Sequence, residues 1–151
     1  MTQISNDIEF RNVIDSLDFT GQRVLAGLLA NNVLDLCDDE RIARVVQTAT
    51  NASASADELA AALKTARAAT FDCHTRCGAE GDWKAQAGYF VARAATAAVT
   101  PELQSRSGGP AWQAAMSSRM ARTSVLIDAE DAATSDESEQ QYRILSDYLN
   151  S

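Results

Sequence analysis

Residues 51–78 read NASASADELAAALKTARAATFDCHTRCG, and their period decides the fold. Ser55 and Glu58 have the S-x-x-E spacing of a capping box. The serine hydroxyl takes the N–H three residues on, and the glutamate reaches back to the serine N–H. From that start, at about 100° per residue, Leu59, Ala62, Leu63, Ala66, Thr70, Cys73 and Cys77 fall on one stripe. A strand would need alternating β-branched and aromatic residues, and the stretch has none of that pattern. Gly78 offers a left-handed stop. The spacing predicts a helix from Ser55 to Gly78 whose two cysteines continue a core face begun by two leucines.

The same reading extends in both directions. Asn6 or Ser5 caps a first helix ending near Leu17, with Phe10, Val13, Ile14 and Leu17 on one side. Thr20 caps a second, GQRVLAGLLANNVLDLC, which is apolar over a wide arc, as a central helix would be. The acids at 38–40 open a third, where they favour the helix dipole, with Ile42, Val45, Val46 and Ala49 facing inward. Asp82 caps a fifth helix that ends before Pro101 and turns Trp83, Ala87, Phe90, Val91 and Ala94 to one broad face. On its other side Tyr89, Gln86 and Arg93 form a trio that reads first as ordinary surface. Residues 101–110 form the longest loop and are expected to be mobile. A sixth helix covers 111–133, and Asp136 with Glu139 caps a last one. The expectation is an all-α, single-domain bundle of about six to seven helices spanning 1–151.

Composition agrees. The chain of 151 residues is 46% hydrophobic, much of it alanine, with only 2 prolines and 7 glycines. Its formal charge is -8. Binding to nucleic acid requires clustered cations that displace counterions, so nucleic acid is not an expected partner. The cations are almost all arginine: Lys64 and Lys84 are the only lysines among 13 basic residues. Arginine tolerates partial burial through forked hydrogen bonding, so several arginines are expected to be structural. The N-terminal MTQISNDIEFRN has no basic and then apolar pattern of a leader, and no apolar run approaches about 20 residues. A cytoplasmic protein, with no membrane partner and its three cysteines (Cys37, Cys73, Cys77) as thiols, is the expectation.

The one histidine, His74, lies between Cys73 and Cys77, which raises metal and nucleophile chemistry. Structural zinc takes four ligands, commonly in pairs. Here Cys37 is the only other soft ligand, so no metal and no cofactor is expected. Cys73 and His74 diverge by about 100° on a helix, which keeps the imidazole from that thiol's proton. Cys77 lies within reach of His74, but nothing supplies an oxyanion hole. Phosphate loops, dinucleotide fingerprints and H-E-x-x-H are absent, as is the paired Glu-x-x-His of di-iron bundles. Catalytic residues are accordingly none. Two polar residues interrupt apolar stripes: Asn32, among Leu25, Leu28, Leu29, Val33 and Leu36; and Arg119, among Trp112, Ala115, Met116, Thr123, Leu126 and Ile127. They either fix helix register or, with His74, line an internal pocket for a small ligand or substrate.

The segments QRVLAGLLANNVLDLCDDERIARVVQTA, DELAAALKTARAA, GYFVARAATAAV and EQQYRILSDYL, in this order, resemble the Ala-rich helical immunity proteins of bacterial polymorphic toxin systems. In that pattern a Cys-containing helix meets a D-x-R turn, filled here by Cys37, Asp39, Glu40 and Arg41, and an acid-capped Ala helix follows. The resemblance implies a non-catalytic cytosolic protein that neutralises a toxin, or a related adaptor. Between Arg122 and Arg143 there is no cation, while Asp128, Glu130, Asp131, Asp136, Glu137 and Glu139 add six acids. On two consecutive helices these are expected to form one negative face that steers a basic protein partner. A pocket built on Asn32, His74 and Arg119 is the rival expectation, and a homo-oligomer stays open.

Overall fold

The computed structural model describes residues 3–80, 82–128 and 136–151, the side chains at 78–80 and 128 excepted. The described residues form an all-α bundle of seven helices and two 3₁₀ turns, without a strand. The helices are α1 (Asp7–Ser16), α2 (Phe19–Asn31), α3 (Glu40–Thr50), α4 (Ala56–Glu80), α5 (Trp83–Val99), α6 (Gly109–Asp128) and α7 (Glu137–Leu149). The 3₁₀ turns are Leu34–Leu36, between α2 and α3, and Glu102–Gln104, between α5 and α6. No described helix is long and apolar enough to cross a membrane.

Side chains set most helix starts. Asn6 accepts the Glu9 N–H at 2.9 Å and caps α1. Asp39 caps α3 through the Arg41 N–H, and Asp82 caps α5 through the Lys84 N–H. The capping box at α4 closes as expected, Glu58 N–H to the Ser55 hydroxyl at 3.1 Å and Ser55 N–H to the Glu58 carboxylate at 3.3 Å.

Four expectations about boundaries change. Asp18, not Thr20, caps α2, because its carboxylate reaches the Gly21 N–H at 2.7 Å. That helix stops at Asn31 instead of running to Cys37, since the Asn32 side chain is drawn onto α7. Helix α4 passes through Gly78 to Glu80, where Ala79 and Glu80 both favour continuation. Asp136 accepts from the Gln140 side chain instead of capping the backbone of α7. Residues 101–108 are tied on both sides: Arg67 donates to Gln104, and Gln113 donates to the Ser107 carbonyl. Gly108 and Gly109 then turn the chain into α6 at φ 89° and 81°, a region only glycine enters without strain.

The interior has two clusters that share walls. One is alanine-rich: Ala26, Ala30, Val33, Ile42, Val46, Ala66, Cys73, Val91, Ala95, Ala114 and Ala121 are among its members. The other holds the large side chains Phe10, Ile14, Leu25, Leu29 and Leu145, with Trp112 and Tyr142 packed against it. Helix α2 sends Ala26 and Ala30 into the first and Leu25 and Leu29 into the second. Helix α6 divides likewise, Ala114 and Ala121 against Ala111 and Ala115. Small residues let α5 lie close to α2, α3, α4 and α6, which makes it the central helix of the bundle.

Candidate functional site: an arginine-lined cavity

Three polar helix faces converge between α4, α5 and α6. On α5, Tyr89, Arg93 and Thr96 recur at three- and four-residue steps, with Thr100 just past its end, along one side of the helix. On α4, Arg67 and Thr70 face them, and α6 adds Gln113 and Ser117. Gln104, Ser105 and Arg106, at the end of the second 3₁₀ turn and just after it, complete a cavity of about 590 Å³.

Its electrostatics are one-sided. Arg67, Arg93 and Arg106 line the cavity, and no Asp or Glu does. Arg67 donates to Gln104 at 3.1 Å, while the Arg93 guanidinium lies 5.8 Å from the Tyr89 ring centre. Neither contact neutralises the charge. The hydroxyls are arranged differently. Thr70 donates to the Ala66 carbonyl, Thr96 to that of Ala92, and Thr100 to that of Thr96. Thr70 and Thr96 also share a hydrogen bond at 3.0 Å in which either hydroxyl can donate, so one of the two gives its proton to the other instead of to the backbone. With their protons engaged inside the protein, these oxygens keep lone pairs to offer. The cavity thus combines cationic donors with hydroxyl acceptors, an arrangement suited to an anion that carries O–H groups of its own.

No protein-family model, curated protein or solved structure matches the chain.

The expected internal pocket of Asn32, His74 and Arg119 does not assemble; the three sit in separate places. Asn32 lies at the C-terminal end of α2, where its amide donates to both Glu137 oxygens, at 3.1 and 2.9 Å, and to Gln140 at 2.8 Å. Arg119 grips the Asp7 carboxylate with two nitrogens, at 2.9 and 2.8 Å, and donates to Gln141 through Nε at 2.9 Å. It is a brace between α6, α1 and α7, with its side chain 20% exposed instead of deeply buried. His74 is exposed on α4, its ring centre 5.2 Å from that of Tyr89, and so beside the arginine cavity without lining it.

The expected acidic face is also altered. Asp136 and Glu139 are exposed. Glu137 is not: it is 1% exposed, held by Asn32 and by Arg122 Nε at 3.4 Å. The cause is the end of α2, whose Asn32 carbonyl also accepts from Arg122, so that a half-buried cation and amide are both matched by a carboxylate there. Glu130 and Asp131 lie outside the described residues, as does the side chain of Asp128.

Of the cysteines, Cys73 is buried, Cys37 and Cys77 partly so, and none is in a disulfide. Among the described residues no group of three or more His, Cys, Asp or Glu could hold a metal ion. Arg41 of the D-x-R turn forks onto Asp39 at 2.7 Å and Asp72 at 2.9 Å, which pins the start of α3 to α4. The Arg41 guanidinium holds the Asp39 carboxyl below its usual range.

Two residues of the arginine cavity, Tyr89 and Arg93, belong to the trio visible in sequence. Arg67 and Arg106 did not stand out. A polar stripe on α5 running from Tyr89 to Thr100 was the available signal. That Arg67 and Arg106 meet it depends on how α4 and the 102–106 segment pack.

Proposed function

We propose that the chain is a non-catalytic binding module whose ligand is a small hydroxylated anion, of the sugar-phosphate class, held in the arginine-lined cavity. The observation that carries this reading is the convergence of three arginines with no carboxylate in the lining, in a chain whose net charge is -8. In so acidic a protein, three arginines free of lining acids are expected where a ligand brings the countercharge. A polar lining departs from the apolar norm of ligand pockets and favours a hydrophilic ligand. Guanidinium groups bind phosphate through paired hydrogen bonds, and the threonine oxygens accept from the ligand's hydroxyls.

Calorimetric titration with ribose 5-phosphate, inorganic phosphate and ribose tests the reading. The phosphosugar is expected to bind most tightly, phosphate more weakly, and ribose not at all. Arg93→Ala should weaken phosphosugar binding by about tenfold or more, the loss of one charge-assisted contact. Absence of any anion binding at millimolar concentration would overturn it.

A second reading keeps the protein partner suggested by the resemblance to immunity proteins. Met120 and Ile127 are 48% and 47% exposed two turns apart on α6, and Asp136 and Glu139 are exposed at the start of α7. Exposed apolar side chains and exposed acids are the groups that a basic protein surface would meet.

A further inference from the structure

A second cleft, of about 510 Å³, opens between the Leu34–Leu36 turn, α4 and α5, and both Cys37 and Cys73 line it. The two thiols are close enough in the cleft to perturb each other's titration. On the next turn of α4, Arg76 points Nη2 at Cys73 Sγ, 3.4 Å away. The fold therefore brings together two thiols and one guanidinium from segments 36 residues apart (73 − 37). The anion cavity makes no use of them.

We propose that Cys37 and Cys73 are a reversible dithiol–disulfide couple, oxidised by hydrogen peroxide with Cys73 as the attacking sulfur and Cys37 as the resolving one. The Arg76 guanidinium, 3.4 Å from Cys73 Sγ, assigns the attacking role to Cys73. Cys37 and Arg76 both favour the Cys73 thiolate, bringing its pKa down to about 6 against the opposing effects of burial and Asp39. Cys37 is pushed up, by the neighbouring thiolate and by burial, so it keeps its proton until Cys73 has reacted. The cleft selects the oxidant. Asp35, Asp38 and Asp82 line it with Arg76 and Lys84. Three carboxylates disfavour an anionic peptide disulfide, whereas a small neutral peroxide enters a site where Cys73 is only 2% exposed.

In the first step the Cys73 thiolate attacks one peroxide oxygen. An S–O bond forms, the O–O bond breaks, and the departing hydroxide takes up the proton released when the thiolate formed, giving water and a sulfenic acid at Cys73. In the second, Cys37 attacks the Cys73 sulfur. The S–S bond forms, the S–O bond breaks, and hydroxide leaves with the Cys37 proton as a second water. Two thiols lose two electrons and one peroxide gains them. The product disulfide staples the turn before α3 to α4.

The test treats the reduced full-length protein with equimolar peroxide, denatures it, blocks remaining thiols with N-ethylmaleimide and maps the peptides by mass spectrometry. The expected product is a Cys37–Cys73 cross-link, lighter by the two hydrogens lost and reversed by dithiothreitol, with Cys77 blocked. In Cys37→Ser, Cys73 should instead stop at a sulfenic acid that dimedone traps. Arg76→Gln should slow oxidation by about tenfold, through loss of thiolate at neutral pH. A Cys73–Cys77 cross-link, or three blocked thiols in the wild type, would overturn the proposal. Because the wild-type map decides by itself, misfolding of either variant would not rescue it.

Discussion

Asp7 accepts three side-chain hydrogen bonds, two from Arg119 and one from Tyr142. The Arg119 guanidinium is the main reason its carboxyl sits below the usual value, and partial burial opposes it. A folded pKa that is depressed stabilises the protein above the unfolded value, about 3.9, and that stabilisation is lost as pH falls through the folded value. Asp7→Asn is therefore expected to destabilise at pH 7 by about 1 kcal/mol, a charge-assisted bond discounted for exposure. Urea titrations from pH 7 to pH 2 should show the gap to wild type narrowing through the acid range. Glu137 leads to a sharper outcome. A lysine there would place a second cation beside Arg122 in a site that is 1% exposed. Glu137→Lys should cost about 3–5 kcal/mol, the range for breaking a buried pair, read as a fall in urea midpoint. Asp136→Lys and Glu139→Lys should stay within about 0.5 kcal/mol of wild type, as exposed substitutions do. A charge-reversal test of the acidic surface should use those two positions.

At the scale of the helices, α2 approaches α3 closely at Gly27. A Cβ added at Gly27 would lie 2.8 Å from Thr50 Cγ2 and 3.0 Å from Ala49 Cβ. Thr50 is not free to turn away, because its hydroxyl bonds the Val46 and Gln47 carbonyls. Gly27→Ala gains about 1 kcal/mol of helix propensity but must spread the two helices, an overpacking cost of about 1–3 kcal/mol. The expected sum is a destabilisation of about 1 kcal/mol, and thermal denaturation checks it. Next to this crossing Arg23, 4% exposed, donates to the Asn51 and Ala52 carbonyls just past the end of α3. It stands where the α3 dipole is negative, and the backbone carbonyls there take its protons, which is how a cation is buried at this point.

Over the whole molecule, the two hydrophobic clusters share α2 and α6, so neither can come apart without exposing the other. In a Trp83→Phe background, Trp112 alone reports on the large-residue cluster, whereas ellipticity reports on every helix. The two signals should give coincident urea transitions, the mark of one cooperative unit. Leu29→Ala, at a fully buried position, should shift both together, by about 2–5 kcal/mol. A tryptophan transition that precedes the loss of helix would show that the clusters unfold separately.

Local chemistry accounts for what could be read in the chain alone. Ser55 and Glu58 cap α4 within four residues, and the recurrence of Leu63, Ala66 and Cys73 marks its inner face, so the all-α class followed from neighbours in sequence. Asp82 and Asn6 announced their helices for the same reason. The sites were another matter. Trp83 lies on the periodic face of α5 yet is 41% exposed, and Glu137 lies in an acidic run yet is buried. Asn32 and Arg119 both interrupt apolar stripes, which fitted either a register-fixing bond or a shared pocket; each bonds to other helices, Asn32 to α7 and Arg119 to α1 and α7. The arginine cavity needs Arg67, Arg93 and Arg106 from three segments, and the thiol pair needs Cys37 beside Cys73. Helix periodicity gives the direction of each side chain around its own axis. Which faces then meet depends on how closely alanine and glycine allow the helices to approach, and that is settled only when they pack.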